Sequence, residues 1–281
     1  MKIFILLVLL SFSGFAGAQI TTEKKSCCSE GSATGKFAAL GDLQDFRDAH
    51  IDPIPFIYKD AKGTMETYAT PDGKTTTSYV VRSKEKSNKY ILVFHEWYGL
   101  NDYIKKESDE LADKLMKVNV IAVDLYDGNV ATTSAEATKL MQSVTEGRAT
   151  SIIKGTADYA GSDAVLGTLG WCFGGGWSLQ AALTLTDKVK MCVMYYGMPE
   201  QSRDRLMLLN AKLLAFYGTK DQHLTPAVVD QFKADLDAIG KPYGIYSYDA
   251  GHGFANPSNP VYDASATSDT KEKMYKFFLD L

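Results

Sequence analysis

Gly170-Trp171-Cys172-Phe173-Gly174-Gly175-Gly176 is the stretch that decides the fold of this chain. It follows an apolar run over 164–170 that reads as a buried strand and precedes a helical pattern over 175–185. The spacing is that of the nucleophile elbow G-x-S-x-G, with cysteine in place of serine. A nucleophile held on a strained strand-to-helix turn needs neighbours without Cβ atoms, so that the turn closes and the helix packs on the sheet. The start of that helix points unpaired N–H groups and a positive dipole end at Cys172, which favours the thiolate. Neither G-x-x-x-x-G-K-[ST] nor a full G-x-G-x-x-G is present, so the glycines do not form a nucleotide loop.

On both sides of this turn the chain alternates. Strands are expected over 76–82, 89–95, 118–125, 190–196, 211–217 and 243–248, where β-branched and aromatic residues run together. Helices are expected after a cap at Asn101 or Asp102, over 134–145 and 150–159, after Thr225-Pro226, and over 269–281. Short apolar strands alternating with helices predict an α/β fold: one mostly parallel sheet with helices on both faces.

The composition fits such a domain. Of 281 residues 45% are hydrophobic and 23% charged, and the formal net charge is −4, which offers no clustered basic face for a nucleic acid. Residues 1–18 differ from the rest: Lys2, an apolar run over 3–15 and small residues at Ala16-Gly17-Ala18 read as a secretory signal peptide. The run is shorter than the roughly 20 residues of a spanning helix. The expected product is a secreted or periplasmic protein without stable membrane insertion after cleavage. Residues 19–62 form an N-terminal extension, polar and without sustained period, which reads as a flexible arm carrying Cys27-Cys28; residues 63–281 form the domain. Parity in an oxidising compartment allows a Cys172–Cys192 disulfide, but the elbow around Cys172 argues for a thiol left free for chemistry.

Two later loops complete a constellation. Gly218-Thr219-Lys220-Asp221 closes one expected strand and Ala250-Gly251-His252-Gly253-Phe254 follows the next. The chain order Cys172, Asp221, His252 is the nucleophile, acid, base order of α/β-hydrolases, with all three at the carboxyl edge of a parallel sheet. His223 is a rival base two residues from Asp221. His95, His223 and His252 show no H-E-x-x-H or paired-ligand spacing, so no metal is expected.

With His95-Glu96-Trp97-Tyr98-Gly99-Leu100-Asn101, Val123-Asp124-Leu125-Tyr126 and Tyr195-Tyr196-Gly197, these segments resemble the dienelactone hydrolase family from about residue 63 to the C-terminus. The resemblance implies an α/β-hydrolase fold and a Cys172-His252-Asp221 triad working without a cofactor. It further implies that Glu96 contacts the resting thiol and helps deprotonate it, and that the backbone N–H groups of Trp97 and Phe173 form the oxyanion hole. The expected activity is hydrolysis of a small-molecule ester or lactone. The founding members carry a carboxylate-gripping arginine four residues after the histidine; Asn256 stands there in this chain, no arginine occurs near 133–138, and Arg148 falls too late to align. Tyr98, Tyr126, Tyr196 and Asn256 are candidates for the pocket wall. A binding protein with an idle Cys172, and a carbohydrate-directed esterase, are the alternatives on the same fold.

Overall fold

Runs that are apolar on both sides of the backbone make strands that must be covered on both faces. The computed structural model describes Met1 and residues 31–281; the rest of the expected signal segment, the start of the extension and Cys27-Cys28 lie outside the described residues. The chain runs α1 (Ala33–Ala39), α2 (Gln44–Asp48), β1 (Thr64–Ala69), β2 (Thr75–Val81), β3 (Lys89–Phe94), α3 (Asp102–Leu115), β4 (Asn119–Val123), α4 (Ser134–Ser143) and α5 (Glu146–Ala160). It continues through β5 (Val165–Trp171), α6 (Phe173–Leu185), β6 (Val189–Tyr195), α7 (Arg203–Leu206), β7 (Lys212–Gly218), α8 (Pro226–Ala238), β8 (Tyr243–Tyr248) and α9 (Ala264–Phe278).

The strands form one eight-stranded sheet in the order β1-β2-β4-β3-β5-β6-β7-β8. The β1–β2 and β2–β4 pairs are antiparallel and all others parallel. The mostly parallel sheet and its helices have the α/β-hydrolase architecture. Strand order reverses between β3 and β5, so the crevice beyond their carboxyl ends is the switch point where open α/β sheets hold ligands. The register pairs Phe94 with Gly170, Trp171 with Tyr195, and Gly218 with Tyr248. The loops carrying Glu96, Cys172, Tyr196, Asp221 and His252 therefore leave the sheet along one edge.

Helix α6 packs against β3, β5 and β6, with α1 and α5 against it, whereas α3 lies on β2 and β4 and touches α9. Nearly every residue of α6 is buried, as a helix apolar all round must be. Its N-cap is Cys172, at φ 55° and ψ −120°. A β-carbon on Gly170 would stand 2.0 Å from the Gly174 carbonyl oxygen, and one on Gly174 2.3 Å from the carbonyl oxygens of His95 and Phe94. The glycines thus serve close approach of α6 to the sheet as well as the turn.

Element ends differ from the expected ones where caps outrank periodicity. Thr145 accepts from the Arg148 N–H and starts α5 at Glu146, and Asp263 accepts from the Ala266 N–H and starts α9 at Ala264. Strand β1 was not expected; it is an edge strand, mostly exposed, whose Tyr68 hydroxyl bonds Ser78 and Thr156. The larger correction is at the N-terminal side, where α1 and α2 replace the expected featureless arm. Ser32 caps α1, and Phe37 and Phe46 are 1% and 0% exposed. Downstream the chain is fastened to α3: Asp102 accepts from the Tyr58 N–H and Asp109 from the Lys62 N–H and the Tyr58 hydroxyl.

Gly174→Ala should destabilise the protein by about 1–3 kcal/mol or more, because backbone rather than a flexible side chain meets the new methyl group. Urea unfolding of both proteins checks this; an unchanged midpoint would contradict the packing described.

Candidate active site

The strand tips bring Cys172, His252 and Asp221 into line. His252 Nε2 stands 3.3 Å from Cys172 Sγ, and His252 Nδ1–H donates to Asp221 Oδ2 at 2.6 Å. Asp221 Oδ1 accepts from the backbone N–H groups of His223 and Leu224, each at 2.9 Å, which fixes the carboxylate on its loop. All three side chains are buried. His223, the rival base, instead packs its ring against Phe46 and lies 4.0 Å from Asp45. Cys192 is also a free, buried thiol, close to Ser178 Oγ, and makes no disulfide with Cys172.

Burial alone would raise the Asp221 pKa, but the charge and hydrogen bond of His252 with the two N–H donors bring it down to about 2. Burial alone would lower that of His252, and here the Asp221 carboxylate and then Cys172 outweigh it and hold the imidazole well above its ordinary value. The Cys172 thiol is pushed up by burial, while His252 and the Phe173 amide favour its thiolate. Cys172 Sγ and His252 Nε2 thus face each other in hydrogen-bonding position as a pair that shares one proton.

The other expected residues divide. Glu96 does not bond the thiol: one carboxylate oxygen accepts from the Tyr196 hydroxyl at 3.2 Å and the other from Asn256 Nδ2. Burial pushes its carboxyl up to about 7 despite His252 and these two donors. Tyr98 and Asn256 line a cavity of about 40 Å³ ending at Glu96, with Ile104, Trp171, Ser258 and Lys271. Tyr126 and Tyr196 are not in that wall. Tyr126 donates to the Trp97 carbonyl and packs near Phe173, and the Tyr196 ring meets His252 edge-on at 5.1 Å. Arg148 is spent on Asp72 and Asp127, away from the cavity.

The residue that sequence reading missed is His50. Its Nε2 lies 3.8 Å from Cys172 Sγ, on a segment expected to be an arm. Its Nδ1–H donates to the Phe46 carbonyl at 2.6 Å, and its ring lies tilted at 4.2 Å from the Phe46 ring and meets Trp97 edge-on at 4.8 Å. Tyr98 holds the segment's end by donating to the carbonyls of His50 and Ile51. Burial, and then the charge on His252, push the His50 pKa down to about 3, so its ring is neutral. The only sequence signal was the one-turn spacing of Phe46 and His50, too short to carry a periodic pattern.

Residues 76–281 match the model of the family described as "Dienelactone hydrolase family". A Methylorubrum extorquens protein provisionally named a carboxymethylenebutenolidase is 29% identical over 93% of this chain and 94% of its own length. Carboxymethylenebutenolidase 1 of Cupriavidus pinatubonensis is 22% identical over 68% of this chain and 86% of its own length. A Klebsiella pneumoniae structure provisionally titled a dienelactone hydrolase superposes with a TM-score of 0.68 and 23% identity, covering 78% of this chain and 99% of that one; it supports the fold.

Glu96 gives a pH test. A carboxyl whose pKa rises from about 4.3 unfolded to about 7 folded makes the native state bind the extra proton. Stability relative to a neutral residue is present below pH ~4.3 and lost as pH rises through ~7. At about 1.4 kcal/mol per pK unit the loss is on the order of 3 kcal/mol. Urea unfolding of wild type and Glu96→Gln between pH 4 and 8 should show the variant gaining on wild type across that window. A pH-independent gap would contradict it.

Proposed function

Because the chain belongs to the dienelactone hydrolase family, we propose that it hydrolyses activated carboxylic esters or lactones through a thioester formed on Cys172. The observation that carries this reading is the hydrogen-bonded line from Asp221 through His252 to Cys172 Sγ at a positive-φ elbow. In the first half-reaction His252 takes the thiol proton as Sγ attacks the carbonyl carbon. Negative charge develops on the carbonyl oxygen, where the N–H groups of Phe173 and Trp97 are the donors, each contributing about 3 kcal/mol to the transition state. The carbon–oxygen bond then breaks and His252 returns its proton to the leaving oxygen. In the second, His252 takes a proton from water as the water oxygen attacks the thioester carbon, and the carbon–sulfur bond breaks as His252 returns that proton to Sγ.

Substrate class follows from leaving ability. A thiolate, conjugate base of an acid with pKa about 8.5, departs from the tetrahedral intermediate before an ordinary alkoxide does, so simple alkyl esters revert. Enol lactones and aryl esters carry leaving groups good enough to go forward. Asn256, paired with Glu96, leaves no arginine at the position that grips a substrate carboxylate in the founding members, which supports neutral acyl groups. The cavity of about 40 Å³ has room for only a few waters. It is not lined by Cys172, Asp221 or His252, and the thiol itself is 1% exposed, so side chains over Cys172 must give way when substrate enters. The apolar leader supports export to the periplasm or medium as the place of action.

The test compares p-nitrophenyl acetate, an enol lactone and an ethyl ester with reduced wild type and Cys172→Ala. Wild type should turn over the first two and leave the ethyl ester nearly untouched, and the variant should lose at least about 1,000-fold of the rate. Turnover surviving in the variant would overturn the reading.

A further inference from the structure

Three soft or borderline donors converge where the proposed reaction needs only two. The donor atoms of His50, Cys172 and His252 all lie within 4.8 Å of one another and the residues are buried. The Sγ–Nε2 separations are 3.8 Å to His50 and 3.3 Å to His252. A tetrahedral zinc ion with Zn–S of about 2.3 Å and Zn–N of about 2.05 Å sets its sulfur and nitrogen ligands about 3.5 Å apart, between the two observed values.

The outer contacts of the ligands fit as well. A metal-bound imidazole almost always donates its second N–H to a carboxylate or carbonyl, which fixes the tautomer and aims the lone pair. His252 does so to the Asp221 carboxylate and His50 to the Phe46 carbonyl, both at 2.6 Å, and in each ring the remaining nitrogen is the one turned to Sγ. For a base that relays a proton, one such imidazole suffices. The second is brought by α2 and its following turn, outside the residues that match the family model.

We propose that His50, Cys172 and His252 form a binding site for a zinc-class divalent cation, which on loading occupies the sulfur and pins the 32–51 segment over the site. Binding is a ligand exchange without oxidation: the thiol proton passes to solvent as the Cys172 sulfur coordinates as thiolate, and a water from the ion's own shell fills the fourth position. The blockade of hydrolysis rests on the reading of Cys172 as the nucleophile; the metal site itself does not.

The experiment uses the full chain with C27S/C28S substitutions, reduced and freed of metal, titrated with Zn²⁺ by calorimetry and with Co²⁺ by absorption. One ion per chain is expected, with a thiolate-to-Co²⁺ charge-transfer band that Cys172→Ser abolishes. His50→Ala and His50→Gln should each bind at least about tenfold more weakly; the glutamine retains a donor for the Phe46 carbonyl, and circular dichroism confirms that both fold. In the parent, Zn²⁺ should stop ester hydrolysis and EDTA restore it. No binding, or equal affinity in the parent and both folded His50 variants, would overturn the site and leave the hydrolase reading intact. Binding at full strength without loss of hydrolysis would overturn the blockade and, with it, the role of Cys172.

Discussion

Everything at this site is arranged around one backbone constraint, a cysteine held at φ 55° between the last residue of a central strand and the first turn of a buried helix. A non-glycine residue in that region persists only where its surroundings over-determine it, at a strain of about 1–3 kcal/mol. Here they do. The Cys172 N–H is taken by the Tyr195 carbonyl and its own carbonyl accepts from the Gly175 N–H. The turn cannot relax without lifting α6 off the sheet, where Gly170 and Gly174 let it sit directly against backbone oxygens. The same rigidity aims Sγ at His252.

The surroundings of the sulfur are closed and aromatic. Phe37, Phe46, Trp97 and Tyr196 leave Sγ in contact with two imidazoles and little water. Burial disfavours every isolated charge there, so Asp221 keeps its charge by means of three donors and Glu96 is pushed toward its neutral form. Charge is stable only where a partner is already in place, and His252 is that partner for the Cys172 thiolate.

Much of this was legible in the sequence, and what was not has a physical reason. The parallel strands announced themselves because burial on both faces makes continuous apolar runs, and the loops of Asp221 and His252 because glycines mark the strand tips. Strand β1 escaped because an edge strand with one buried side chain, Tyr68, has no run to show. Helices α1 and α2, of seven and five residues, are too short for periodicity; they are held by Phe37 and Phe46 plugging into the core rather than by their own propensity. His50 owes its place to that plugging, and Glu96 turned from the thiol because Tyr196 and Asn256 compete for its oxygens. Such long-range pairings leave no mark in local spacing.

The central claim is a covalent acyl group on one sulfur. Mixing the reduced protein with p-nitrophenyl acetate, quenching in acid within the first turnover and mapping peptides by mass spectrometry tests it most directly. The account predicts a single acetyl group on the peptide containing Cys172, lost on delayed quenching. Release of p-nitrophenol with no acetyl on that peptide, or with the label on another residue, would contradict it.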